Sequence, residues 1–137
     1  MTTKEYLSQI LQIDHRIQAK LEQAEKLRGL ATKITTTFSD MPRVPGHSQQ
    51  SMEEAVCKLV DLQKKINADV DRMIDLRQEV MTIIESVPVK EQRYLLEWRY
   101  LNGWTWGVIA RGLGYDRSSV YRIHAEVLKK LKIPTNV

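Results

Sequence analysis

Apolar residues recur along most of the chain at alternating spacings of three and four, the period of a helix, and no stretch alternates at every second position as a half-buried strand would. From Lys4 to Phe38 the pattern is a strict heptad with two columns, Ile10, Ile17, Ala24, Ala31 and Phe38 in one and Tyr6, Ile13, Lys20, Leu27 and Ile34 in the other. A second heptad runs through Met52, Leu59, Ile66, Met73, Val80 and Val87, beside Ala55, Leu62, Asp69, Leu76 and Ile83. Two such stripes predict coiled-coil-like packing of two long helices, about 4–38 and 52–86. Each would be about 52 Å long, with Ser51 and Glu54 as a capping box that starts the second. Residues 39–50, which hold Pro42 and Pro45, read as a loop that lets the second helix fold back antiparallel.

Each heptad has one polar intruder, Lys20 in the first and Asp69 in the second. In a hairpin that brings Phe38 near Met52, facing residues have numbers that add to about 90, so Lys20 and Asp69 meet. They either pair and fix the register of the seam, or turn to water and leave Leu21 and Val70 to fill it. Leu7, Leu11, Leu21, Val56 and Ile84 lie beside the main stripe and need a cover. A second copy of the hairpin or the C-terminal helices of the same chain could supply it.

Beyond Pro88 the pattern shortens. A helix from Lys90 to Leu101 places Tyr94, Leu95, Trp98 and Leu101 on one face and ends at Asn102-Gly103. Thr105 can cap a short helix, closed over at its start by Trp104 and Ile109, and Gly114 supplies the left-handed residue that ends it. Asp116 can cap a final helix from Arg117 to Leu131 that buries Val120, Ile123, Val127 and Leu131, with His124 and Leu128 at the edge, and Pro134 follows it. By spacing this is a helix-turn-helix: Ala110 is small at the close approach, Gly114 makes the turn, and Ile109, Leu113, Tyr115, Val120 and Ile123 lock the pair. The frame leaves Arg117, Ser118, Tyr121 and Arg122 facing outward to enter a major groove, where arginine donates bidentately to guanine and hydroxyls reach bases or phosphates. Thr105, Lys129 and Lys130 complete the expected DNA-facing set, the lysines on backbone phosphates. Trp98, Trp104 and Trp106 have the helical spacing of packing residues. His15 and His47 read as surface or loop residues, and His124 as helix-packing or phosphate-facing.

Charge follows the same division. The 137 residues have a net charge of +4, yet residues 1–87 carry 12 Lys and Arg against 13 Asp and Glu, whereas residues 88–137 carry 9 against 4. A near-neutral hairpin is thus joined to a basic module, the footprint of a nucleic-acid reader attached to a part that binds none. Composition excludes other classes. A 42% hydrophobic, 28% charged chain with no long apolar run predicts a soluble, cytoplasmic, globular all-α protein without a membrane span. The single cysteine, Cys57, excludes an internal disulfide and a zinc framework, and no cofactor or metal is expected. With no glycine-rich phosphate loop and no nucleophile beside a base, an enzyme is not expected.

The run Arg93-Tyr-Leu-Leu-Glu-Trp-Arg-Tyr-Leu-Asn-Gly-Trp-Thr-Trp106, with Ile109-Ala110, Leu113-Gly-Tyr115 and Val120-Tyr-Arg-Ile-His124, resembles the C-terminal region of phage and prophage regulators of the RinA/ArpU type. Their helix-turn-helix is similar to region 4 of bacterial sigma factors. Lys4–Ile10 and the stretch from Ala55 to Ile74 also resemble that group. The resemblance implies that the second helix of the motif reads promoter DNA, a role that falls on Arg117, Ser118, Tyr121 and Arg122. Gly107 and Val108 stand where the family usually has acidic residues, so the capping box is absent, and Gly112 weakens the first helix by about a further 1 kcal/mol.

Three functions follow. The first is a sequence-specific transcription regulator that binds double-stranded DNA as a homodimer or higher homo-oligomer. Its domains are a hairpin over 1–87 for self-association and a helix-turn-helix over 88–137 for DNA. The second is a DNA-binding assembly protein of the small packaging-adaptor type. The third is a sigma-like module that binds RNA polymerase without touching DNA.

Overall fold

The computed structural model describes residues 1–40 and 47–134, with side chains described over 1–33 and 50–134. Every regular element among the described residues is helical. Helix α1 spans Thr3–Asp40, α2 His47–Glu85, α3 Lys90–Leu96, α4 Trp106–Leu113 and α5 Arg117–Lys130, and a π-helical turn, Glu97–Leu101, continues α3.

The long helices overrun the expected loop of 39–50 from both sides, since residues 39–40 and 47–50 are helical. Nothing in His47-Ser-Gln-Gln50 breaks a helix, so α2 starts directly after the Pro45-Gly46 breakers, and Ser51 lies inside it rather than at its head. The joint at Pro42 and Pro45, and the side chains of Ile34, Phe38 and His47, lie outside the described residues. At the head of α1 Thr2 and Glu5 form a capping box: Glu5 N donates to Thr2 Oγ1 at 3.1 Å and Thr2 N to the Glu5 carboxylate at 3.2 Å.

The chain forms two compact units, Met1–Asp14 with Met73–Val137, and His15–Arg72. In the His15–Arg72 unit the heptad positions Ile17, Ala24, Ala55 and Ile66 are buried and Leu27, Leu59 and Leu62 half-buried. Lys20 Nζ donates to Asp69 Oδ2, as a partly buried ion pair. The hydrogen bond from Lys20 holds the Asp69 carboxyl below its ordinary range, and Arg16 and Arg72 add to the effect. Leu21 and Val70, which would fill the seam had the two charges turned to water, are exposed.

In the other unit Leu7, Ile10, Ile13, Val80 and Ile84 are fully buried, as are Leu95, Leu96, Tyr100, Ile109, Val120 and Val127. Helix α3 packs on α4 and α5, and α4 on α5. The face expected of Lys90–Leu101 is corrected. Gln92, Leu95, Leu96 and Tyr100 are buried, whereas Tyr94 is exposed and Trp98 and Leu101 only half-buried. The buried positions are themselves at helical spacings of three and four, so the stripe turned inward is the one beside the expected face, and Tyr94 and Trp98 stack on each other next to it. In the π turn that follows α3, Asn102 N reaches back five residues to Glu97 O at 2.9 Å. The last carbonyl of that turn, Leu101 O, accepts from Arg77 Nη1 of α2 at 3.0 Å.

Candidate nucleic-acid interface

The two short helices α4 and α5 are framed by the caps that their sequence dictates. Thr105 Oγ1 accepts from Val108 N at 3.3 Å at the head of α4. Gly114 ends the helix at φ 77°, a conformation that favours glycine, and its N–H and that of Tyr115 both donate to Ala110 O at 2.9 and 3.0 Å. Asp116 Oδ1 then accepts from Ser119 N at 3.0 Å at the head of α5, and that bond and its companions keep its carboxyl below the ordinary range. The capping carboxylate is therefore charged, as a helix N-terminus favours, at any physiological pH.

Ile109, Ala110, Val120 and Val127 form the buried lock between the helices, with Leu113 and Ile123 half-buried. Tyr115, expected in the lock, is exposed, and its hydroxyl instead donates to the Glu91 carboxylate at 2.9 and 3.0 Å, tying the turn to α3. Being hydrogen-bonded to an anion raises the Tyr115 pKa. His124 is buried in α5 rather than at its edge, whereas Leu131 is only half-buried. Gly112 has a packing role that outweighs its poor helix propensity. A Cβ there would lie 2.9 Å from Trp98 Cζ3, and the Trp98 ring is stacked with both Tyr94 and Trp104, with centroids 5.5 and 5.0 Å away.

Behind the exposed face of α5 lies an aromatic layer that places Trp106 at its centre. Its ring meets Tyr121 edge-on at 5.3 Å and His124 at 4.7 Å, and the Arg99 guanidinium lies over it at 4.5 Å. His124 Nε2 and the Tyr100 hydroxyl are 2.7 Å apart. Burial lowers His124 to about 4, with the positive charges of Lys4 and Arg99 adding, and raises Tyr100 to about 12. At neutral pH the hydrogen bond therefore joins a protonated phenol to a neutral imidazole, with the imidazole tautomer setting which of the two donates. His124 is thus a packing residue, and the positive charge of α5 comes from its arginines and lysines.

The structure places Arg117, Ser118, Tyr121, Arg122, Lys129 and Lys130 at exposed positions of α5. Thr105 is exposed too, with its hydroxyl committed to the cap. The Arg117 guanidinium reaches over Gly107, where a Cβ would come within 2.8 Å of Nη2. The side chain is long and flexible, so it can leave that position for a ligand. Tyr121 is braced by Trp106 yet keeps 46% of its surface open. Two further arginines enter the picture that spacing alone did not single out. Arg111 is exposed on α4, and Arg99 stacks on Trp106 while its Nη1 donates to Trp104 O at 3.1 Å. The basic count of the segment included both, but it carried no sign of Arg99's stacked position.

No family model, no characterised protein and no solved structure compared with the chain matches it.

Among the described residues no group of His, Cys, Asp and Glu could hold a metal ion, and no helix is long and apolar enough to cross a membrane.

Proposed function

We propose that the chain is a DNA-binding transcription regulator, with α4 and α5 as a helix-turn-helix, α5 as the helix that enters the major groove, and α1 and α2 as an antiparallel hairpin that joins copies. The observation that carries the reading is the face of α5 itself. Arg117, Ser118, Tyr121 and Arg122 are exposed on its first two turns, over an aromatic and aliphatic layer that fixes the helix without using their polar groups. Such a face supplies bidentate donors and hydroxyls for base edges and phosphates. Lys129 and Lys130 in the last turn also suit the negative end of the helix dipole. The likeness to phage regulators of the RinA/ArpU type supports the same reading, and RNA polymerase is the further partner that it suggests.

A gel-shift titration against DNA from around the gene's own locus, with nonspecific competitor and at two salt concentrations, tests the reading. Specific DNA should win the competition. Arg117→Ala and Arg122→Ala, with helical circular dichroism unchanged, should each weaken binding by about 1–3 kcal/mol. Equal competition by nonspecific DNA would remove the regulator reading. Affinity independent of salt would remove DNA binding altogether, because phosphate neutralisation releases counterions.

A further inference from the structure

Helix α2 carries a second apolar stripe that its own heptad seam does not use. Val56, Val60, Val70 and Ile74 are exposed, Val56 and Val60 at 48% and Ile74 at 60%, with Gln63 and Asn67 between them on the same face. The spacings alternate four and three, so the six positions form a heptad seam of their own, about 27 Å long and without a charged residue. Their order is palindromic. Val56 and Ile74, Val60 and Val70, and Gln63 and Asn67 are three pairs whose residue numbers each add to 130.

We infer that α2 pairs antiparallel with α2 of a second copy about a two-fold axis beside residue 65, which seats Val56 on Ile74, Val60 on Val70 and Gln63 on Asn67. This deepens the self-association of the proposed function and rests on it. An antiparallel seam needs each layer to join one position of the heptad to the other, and all three pairs do so. A two-fold interface requires a self-complementary patch, which a palindrome supplies and a stripe built for a different partner has no reason to contain. Charge extends the match by one layer at each end, where the same rule sets Glu53 opposite the half-buried Arg77, a guanidinium of five N–H donors of which one is given to Leu101 O. Gln63 Nε2 donates to Asn67 Oδ1 within the helix at 2.9 Å. In the pair these amides form one polar layer at the axis, the device that fixes register and orientation in an otherwise apolar seam. Lys64 and its copy flank the axis and carry their charges outward on long stems.

Sedimentation of the full chain over a concentration series, together with cysteine pairing, tests the inference. Wild type should approach twice 15.9 kDa, and Val60→Glu should sediment at 15.9 kDa with its helical content unchanged. In a Cys57→Ser background, Val60→Cys with Val70→Cys should form a disulfide-linked dimer under mild oxidation. Either substitution alone should not, because positions 60 and 70 are ten residues apart on the helix, about 15 Å. The cysteine arm decides the matter even if Val60→Glu fails to fold. Rapid cross-linking by Val60→Cys alone would show parallel pairing and overturn the inference. A dimer that survives Val60→Glu and does not cross-link overturns this surface while leaving self-association standing, and a wild-type monomer overturns both.

Discussion

All of the largest fully buried side chains, among them Tyr100, Leu7, Ile84, Leu96 and Val127, belong to the unit of Met1–Asp14 and Met73–Val137. The His15–Arg72 unit buries Ile17, Ala24, Ala55 and Ile66 and leaves Leu21, Leu30, Val56, Val60 and Val70 exposed. The same heptad pattern runs through both, so the difference is not one of sequence periodicity. Two helices bury only the seam between them, and a third layer is needed to cover what lies beside it. In the first unit α3, α4 and α5 belong to the same compact body, and Leu7 and Ile84, which flank the stripe, are fully buried. In the second, Leu21 and Val56 occupy equivalent flanking positions and are open.

The largest test of that contrast is truncation. Leu96→Ala, in the closed core, should cost about 3 kcal/mol, since it removes a fully buried side chain among neighbours that cannot collapse. Leu21→Ala, at an exposed position of the other unit, should cost less than about 1 kcal/mol. Urea denaturation of both variants checks the pair, and equal losses would erase the distinction between the two regions.

Acid should separate the regions next. His124 is lowered from 6.5 to about 4, so the unfolded chain binds its proton first as pH falls. The stability that it contributes is fully present above pH 6.5 and is lost progressively down to about 4. The loss should reach about 3 kcal/mol, and His124→Gln should flatten the dependence in this window. Asp69 is also lowered, but from 3.8, so the Lys20 pair keeps its contribution throughout that window and gives it up only as pH falls below 3.8. Denaturant midpoints measured from pH 7 to pH 3 check the order.

Much of this arrangement was legible in the sequence, and the failures share a cause. The Thr105 and Asp116 caps and the left-handed Gly114 depend on local chemistry, and each stands where its residue type put it. The Lys20–Asp69 pair was reachable because a heptad fixes register over long distances. What could not be read was the direction of α3, since Tyr94, Leu95, Trp98 and Leu101 form one helical stripe and Gln92, Leu95, Leu96 and Tyr100 another, and only packing on α4 and α5 chooses between them. Gly112 misled for a related reason, because a helix-weakening residue looks like a defect until the Trp98 ring is seen resting on it. Thr2 and Glu5 carry a plain capping-box signal just ahead of the heptad that begins near Lys4. The Arg117, Ser118, Tyr121 and Arg122 face followed from α5's period alone, whereas the Arg99–Trp106 stack needed the tertiary fold.

Glycine gives a finer comparison, with opposite signs in the two units. Replacing a mid-helix glycine by alanine gains about 1 kcal/mol of helix propensity wherever the new methyl finds room. At Gly29, in the His15–Arg72 unit, nothing lies within 4 Å of an added Cβ, so Gly29→Ala should stabilise by up to about 1 kcal/mol. At Gly112 the methyl meets the Trp98 ring, which cannot swing aside cheaply because Tyr94 and Trp104 stack on it. Overpacking of that kind costs about 1–3 kcal/mol, which exceeds the propensity gain. Gly112→Ala should therefore destabilise despite making a better helix, and the Trp98 fluorescence environment should change with it. A stabilising Gly112→Ala would mean that the aromatic stack yields easily and that the closed unit is less closely packed than its buried side chains indicate.

The smallest expected effect lies in the open unit, at its ion pair. Asp69→Ala leaves the Lys20 ammonium half-buried without its partner and should lower the denaturation midpoint slightly, whereas Lys20→Met with Asp69→Met replaces the pair by apolar side chains that suit a seam and should recover that loss. If the pair serves to set register, the double variant should be as stable as wild type yet less uniform, with a broader sedimentation profile. That outcome would tie the openness of this unit to specificity, since a seam covered on one side only has little besides Lys20 and Asp69 to prevent a slip by one heptad. A double variant that is equally stable and equally uniform would leave the register to the apolar heptad residues, the buried Ile17, Ala24, Ala55 and Ile66 with the half-buried Leu27, Leu59 and Leu62.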